Sequence, residues 1–107
     1  MRQWLMGELS NKHTTTMYLL QTSSELNSSG VPRLHALPGQ FLPNGEVIDP
    51  SLYVQSPTTP RLNNPIGTIF ECEYLQKNTT PTTKTDFYGI YDSEKKKEYP
   101  LIVKSNP

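Results

Sequence analysis

Residues 65–75, Pro-Ile-Gly-Thr-Ile-Phe-Glu-Cys-Glu-Tyr-Leu, constrain the fold more than any other stretch of the chain. Ile66, Thr68, Phe70, Cys72 and Tyr74 recur with a period of two, and Gly67, Ile69, Glu71, Glu73 and Leu75 fill the alternate positions. That is the period of an extended strand, whose side chains point to opposite faces in turn. The first set consists of good β-formers, so the spacing predicts a central strand with that face buried.

The rest of the composition agrees. Of 107 residues, 34% are hydrophobic and 19% charged, and ten are proline. With Ser, Thr, Asn, Gln and Gly making up most of the remainder, the chain suits short strands joined by many turns and suits long helices poorly. The length fits one domain with a modest core. The expectation is a single mostly β domain over residues 1–107: a small antiparallel barrel or sandwich, OB-like or SH3-like, with five to seven short strands. Trp4, Leu5, Met6 and Leu9 place a short helix within residues 1–12.

Along the chain, strands are expected at residues 14–22, 31–37, 52–55, 65–75, 86–92 and 98–104. Pro32 marks the second as an edge strand, since proline cannot donate to a central ladder. Residues 40–48 read as a hairpin around Asn44 and Gly45, a pair that favours a type I′ turn. Residues 24–30 and 76–84 are polar loops, and residues 93–97 form a charged turn. The last three strands form an antiparallel meander. Residues 56–65 carry three prolines and are expected to be an extended, polyproline-like loop.

Several function classes lose support here. A formal net charge of zero argues against strong non-specific attraction to nucleic acid or to anionic membranes. No stretch approaches the roughly 18 apolar residues of a membrane span, and the N-terminal apolar run is too short for a signal-peptide core. The sole cysteine, Cys72, excludes an internal disulfide and favours a reducing, cytoplasmic setting. There is no glycine-rich phosphate loop. His13 and His35 are not at metal-ligand spacing with each other or with Cys72, so neither a metal nor another cofactor is expected. Gly89, Ile90 and Tyr91 spell half of a nuclease signature whose second half is missing, and that reading is rejected.

Two binding readings remain. In the first, the chain is a non-catalytic module that contacts a protein partner or a second copy of itself. Pro57, Pro60 and Arg61 have the spacing of a proline-rich docking segment. In the second, single-stranded nucleic acid lies across the C-terminal meander. Bases would stack on Phe87, Tyr88 and Tyr91, while Lys84, Lys95, Lys96 and Lys97 meet phosphates. Aromatic residues also fill β cores, and a lysine run in a turn is ordinarily a solvated tip. Glu71 and Glu73 share the outer face of their strand, where they are expected to oppose lysines on a neighbour. The exposure of Phe87 and Tyr91 separates the two readings, because alternate strand residues share a face.

Overall fold

The computed structural model describes residues 17–107. The expected N-terminal helix, the first residues of the first expected strand, and His13 lie outside that range. Within it the protein is mostly β. Nine strands appear in chain order: β1 (Tyr18–Leu26), β2 (Pro32–Ala36), β3 (Val54–Gln55), β4 (Ile69–Cys72), β5 (Gln76–Thr79), β6 (Asp86–Gly89), β7 (Tyr91–Asp92), β8 (Lys97–Glu98) and β9 (Ile102–Ser105). One short helix, α1 (Thr58–Leu62), falls between β3 and β4. Six of the strands have four or more residues, and the other three have two each.

The pairings close a ring. β1 pairs antiparallel with β2 on one side and with β4 on the other. A single bridge from His35 to Tyr53 links β2 to β3. β3 runs parallel to β6, and β6 pairs antiparallel with β5. Residues 73–75 bend the chain so that β4 and β5 act as one strand turning a corner. The result is a five-stranded Greek-key barrel of the OB-like kind, partly open at the single-bridge seam. Its one parallel pair departs from the all-antiparallel expectation. The chain leaves β3, runs through α1, β4 and β5, and returns along β3 in the same direction, a path that demands a long crossover. The expected meander does not form: β4 pairs with β1 and β9 rather than with β6, β6 pairs with β3 and β5, and only the short β7–β8 ribbon joins the second and third of the expected strands.

The core fills this ring. Tyr18 and Leu20 from β1, Leu34 and Ala36 from β2, Val54, Phe70, Cys72 and Tyr88 all point inward and are buried. Leu42 and Ile48, from the hairpin between β2 and β3, join the same cluster. Of the predicted inner face of residues 65–75, Thr68, Phe70 and Cys72 are buried. Ile66 is 48% exposed. It sits in a turn closed by the Thr68 N–H donating to the Pro65 carbonyl at 3.1 Å, so the strand starts only after it. Gly67 takes φ +99°, a conformation open to glycine, and its N–H donates to Thr22 Oγ1 at 3.1 Å. At the other end the corner shifts the period, so Leu75 is buried and Tyr74 is not.

The hairpin at residues 40–48 forms, with a different turn. Only Gly45 takes positive φ there, at +90°, and its N–H donates to the Leu42 carbonyl at 2.9 Å. The closing bond centres the turn on Pro43 and Asn44 rather than on Asn44 and Gly45. Asn44 does not take the positive φ that a type I′ turn needs, and Pro43 favours a type I turn, here followed by a left-handed glycine. Gln40 at the base of the hairpin acts as backbone. Its Oε1 accepts the Leu19 N–H at 2.7 Å, and its Nε2 donates to the Leu19 and Leu37 carbonyls at 2.9 and 2.7 Å. Glu71 meets Lys104 of the neighbouring β9 at 3.4 Å, the cross-strand pairing anticipated for that face.

Residues 56–65 are not wholly extended. Thr58–Leu62 is helical, with Pro57 as its cap position and Pro60 inside its first turn. First-turn N–H groups have no intrahelical acceptor, so a proline there costs nothing.

Candidate functional site

Three outward-facing side chains on the open side of the barrel stand in a row. Arg33, Tyr53 and Phe87 belong to β2, to the bridge preceding β3, and to β6. The register sets Tyr53 beside Phe87, since Val54 pairs with Tyr88 in parallel. Their rings stack at 5.4 Å between centroids and 8° between planes. The Arg33 guanidinium caps the stack, 4.3 Å from the Tyr53 centroid. Such a cation–ring contact contributes about 0.5–2 kcal/mol, depending on exposure.

Next to the stack runs a second row, Gln55 of β3, Gly89 of β6 and Gln76 of β5, aligned by the register of the three strands. Gly89 forms the floor of a groove of about 560 Å³ walled by Gln55, Gln76, Asn78 and Tyr91. A Cβ at Gly89 would come within 3.1 Å of Asn78 Nδ2, so a side chain there would push into the wall. Glycine inside a strand often marks close approach by a ligand or another backbone. The amides are ordered: Gln76 Nε2 donates to Asn78 Oδ1 at 2.9 Å, and the Tyr74 hydroxyl donates to Gln76 Oε1.

A smaller cleft of about 330 Å³ shares Gln55 and Ser56 with this groove and is lined by Asn27, Ser28, Arg33, Tyr53, Thr58 and Arg61. Arg61 is only 6% exposed. It donates from Nε to the Pro57 carbonyl at 3.3 Å, from Nη1 to Pro32 at 3.0 Å and from Nη2 to Ser56 at 2.7 Å. Burial, and then the Arg33 charge, hold its pKa below the usual arginine value.

A second cation–ring–ring stack lies beyond the groove. Lys97 Nζ is 4.6 Å from the Tyr99 ring, which stacks on Tyr74 at 5.2 Å. Burial, followed by the Asp92 and Glu94 carboxylates, pushes the Tyr74 phenol upward.

The residues singled out from sequence are distributed as follows. Phe87 is half-buried in the first stack, and Tyr91 is 48% exposed on the groove wall. Tyr88 is fully buried. Its ring packs in the core, and its hydroxyl accepts the Asp49 N–H at 2.9 Å. Strand alternation sends it to the opposite face from Phe87. Lys84 is exposed within the β5–β6 loop, with φ +57°. Lys95, Lys96 and Lys97 are exposed in and beside the β7–β8 turn, where Asp92 Oδ1 accepts the Glu94 and Lys95 N–H groups. Pro57 is the cap position of α1, Pro60 lies inside its first turn, and Arg61 is nearly buried, so the segment from Thr58 to Leu62 is helical rather than polyproline-like. Sequence reasoning missed Arg33, Tyr53 and Gly89 as one surface. The only signal was strand alternation, which marks each as outward and says nothing of their neighbours. Among the described residues no helix is long and apolar enough to cross a membrane. Comparison with family models, curated proteins and solved structures finds no match to this chain.

Proposed function

We propose that this chain is a non-catalytic binding module whose ligand is single-stranded nucleic acid, held on the outer face of β2, β3 and β6. The observation that carries this reading is the stack of Arg33, Tyr53 and Phe87 beside the glycine-floored groove. A base extends such a stack without regard to sequence, because every base has a π-face, and each stacked base contributes about 1–3 kcal/mol. Gln55, Gln76 and Asn78 offer amide donors and acceptors of the kind that read base edges. OB-like barrels place oligonucleotides on the corresponding strands. A net charge of zero implies a modest affinity with a shallow salt dependence. On this reading the protein works in the cytosol, where the free Cys72 thiol stays reduced. Fluorescence anisotropy with a labelled pyrimidine oligonucleotide at low salt tests it. Saturable binding that weakens in the Phe87→Ala variant is expected, and no binding by the folded wild-type chain overturns it.

A protein contact has its own support. β9 pairs with β4 and, among the described residues, leaves its other edge unpaired, with Ile102 48% and Val103 44% exposed. An open apolar edge can add a strand from a partner or a second copy. Light scattering on wild type and Val103→Lys checks this reading. A concentration-dependent dimer lost in the variant supports it, and a strict monomer at all concentrations removes self-association.

A further inference from the structure

The smaller cleft is lined by two arginines, Arg33 and Arg61. Among the described residues the ion pairs are made by His35, Lys77 and Lys104, and neither Arg33 nor Arg61 has a carboxylate within 4.0 Å. Arginine stays charged at any ordinary pH, and a nearly buried charge is normally paired. The carbonyls of Pro57, Pro32 and Ser56 satisfy three of Arg61's five N–H groups. The other two have no acceptor among the described residues, although the guanidinium lines the cleft. Donors that line an open cleft are free to take an acceptor from outside the chain. Around them, Ser28 and Thr58 add hydroxyls and Asn27 an amide. The Tyr53 ring lines the same cleft and belongs to the aromatic stack. The site is polar, concave, doubly positive and adjacent to a ring-stacking surface.

We infer that this cleft is a phosphate subsite, in which Arg33 and the two unused N–H groups of Arg61 take the oxygens of a phosphate of a strand that runs along the Arg33–Tyr53–Phe87 stack. The inference rests on the nucleic-acid reading for the source of the phosphate, while the oxyanion chemistry is common to free phosphate and to a phosphodiester. Planar guanidinium groups suit such oxygens because they donate in a fixed fork. The carbonyls that hold Arg61 also fix its plane, so little side-chain entropy is lost when an anion arrives.

The test uses the whole chain, with inorganic phosphate, adenosine 5′-monophosphate and adenosine as probes. Nitrogen-15 NMR follows the Arg33 and Arg61 Nε–H signals and the Gln55 and Thr58 amides. Saturable shifts of these signals with phosphate and with the nucleotide, and none at the two Nε–H groups with adenosine, are expected. Arg61→Gln risks unfolding, so the decisive variant is Thr58→Glu, which sets a carboxylate at the cleft and leaves both arginines in place. It is expected to lose the phosphate response, to keep the folded spectrum with an unchanged or raised Tm, and to weaken oligonucleotide binding by roughly tenfold or more. Arg33→Gln, at a half-buried position, should weaken phosphate by roughly tenfold. No phosphate response in the wild type, or an undiminished response in Thr58→Glu, overturns the subsite. Oligonucleotide binding that Thr58→Glu leaves intact removes the subsite and spares the nucleic-acid reading. Phosphate binding without any oligonucleotide binding does the reverse.

Discussion

The molecule carries two stacks with the same ingredients, Arg33–Tyr53–Phe87 and Lys97–Tyr99–Tyr74, and their surroundings make them different surfaces. The first is assembled from three strands of the barrel wall and lies beside Arg61, with no carboxylate paired to either arginine among the described residues. The second spans the β4–β5 corner and the segment after β8. Its phenol feels Asp92 and Glu94, and Tyr99 packs against the core. A cation over a ring does not by itself make an anion site. No cation of either stack has a carboxylate within 4.0 Å among the described residues. The surroundings differ because Asp92 lies opposite Lys97 in the β7–β8 register and acts with Glu94 on the Tyr74 phenol, whereas the first stack shares its cleft with a second cation, Arg61.

Four measurements break or sharpen this contrast. The largest effect is expected from Tyr88→Ala, which removes the buried ring behind the first stack. Denaturant unfolding should show a loss of about 3–5 kcal/mol, as for other aromatic deletions in cores. Exchanging the rings comes next. Phe87→Ala, which removes the ring with the free face of the stack, should lower oligonucleotide affinity by about 1–3 kcal/mol, the worth of one stacked base. Tyr99→Ala should leave affinity unchanged and cost stability instead. Equal effects of both variants on binding would erase the distinction between the stacks. Replacing Lys95, Lys96 and Lys97 together by serine should move stability by no more than about 0.5 kcal/mol, as for most surface changes. The same triple variant should leave anisotropy titrations at the wild-type midpoint, and a clear loss would return the lysine turn to the binding site.

The smallest effect concerns pH. Tyr74 has its phenol pKa raised in the folded state, by burial and then by Asp92 and Glu94. The folded protein therefore holds that proton more tightly than the unfolded chain. The stability it contributes is complete below the unfolded phenol value of about 10 and is lost as pH rises through the raised folded value. Ultraviolet titration of wild type against Tyr74→Phe should show one late-ionising phenol missing from the variant, together with a flatter alkaline loss of stability. Identical curves would mean that the carboxylates of the turn do not reach the second stack.

How far the sequence reaches can be judged residue by residue. Phe70 and Cys72 are inward and Glu71 outward, as the period of two requires, because alternation is a property of the strand itself and needs no neighbour. The same rule separates Phe87 from Tyr88, although it cannot say which of the two is inside. The ends of the organising stretch were less legible. Ile66 falls in a turn made by Gly67 at positive φ, and the bend at residues 73–75 depends on β5 having β6 to pair with. Lys95 to Lys97 are adjacent in sequence, and adjacency in a turn leaves charge in water.

The sequence by itself therefore determined a mostly β chain of short strands, the buried face of β4 and the inert burial of its only thiol, since these follow from local period and composition. The tertiary structure decided the barrel closure, the helical turn through Pro60, and the meeting of Arg33, Tyr53, Phe87 and Arg61. Those residues come from β2, the approach to β3, β6 and α1, and only long-range strand pairing brings them onto one surface. Local propensity is blind to such pairing, because the energy that selects it comes from burying the opposite face of the same strands.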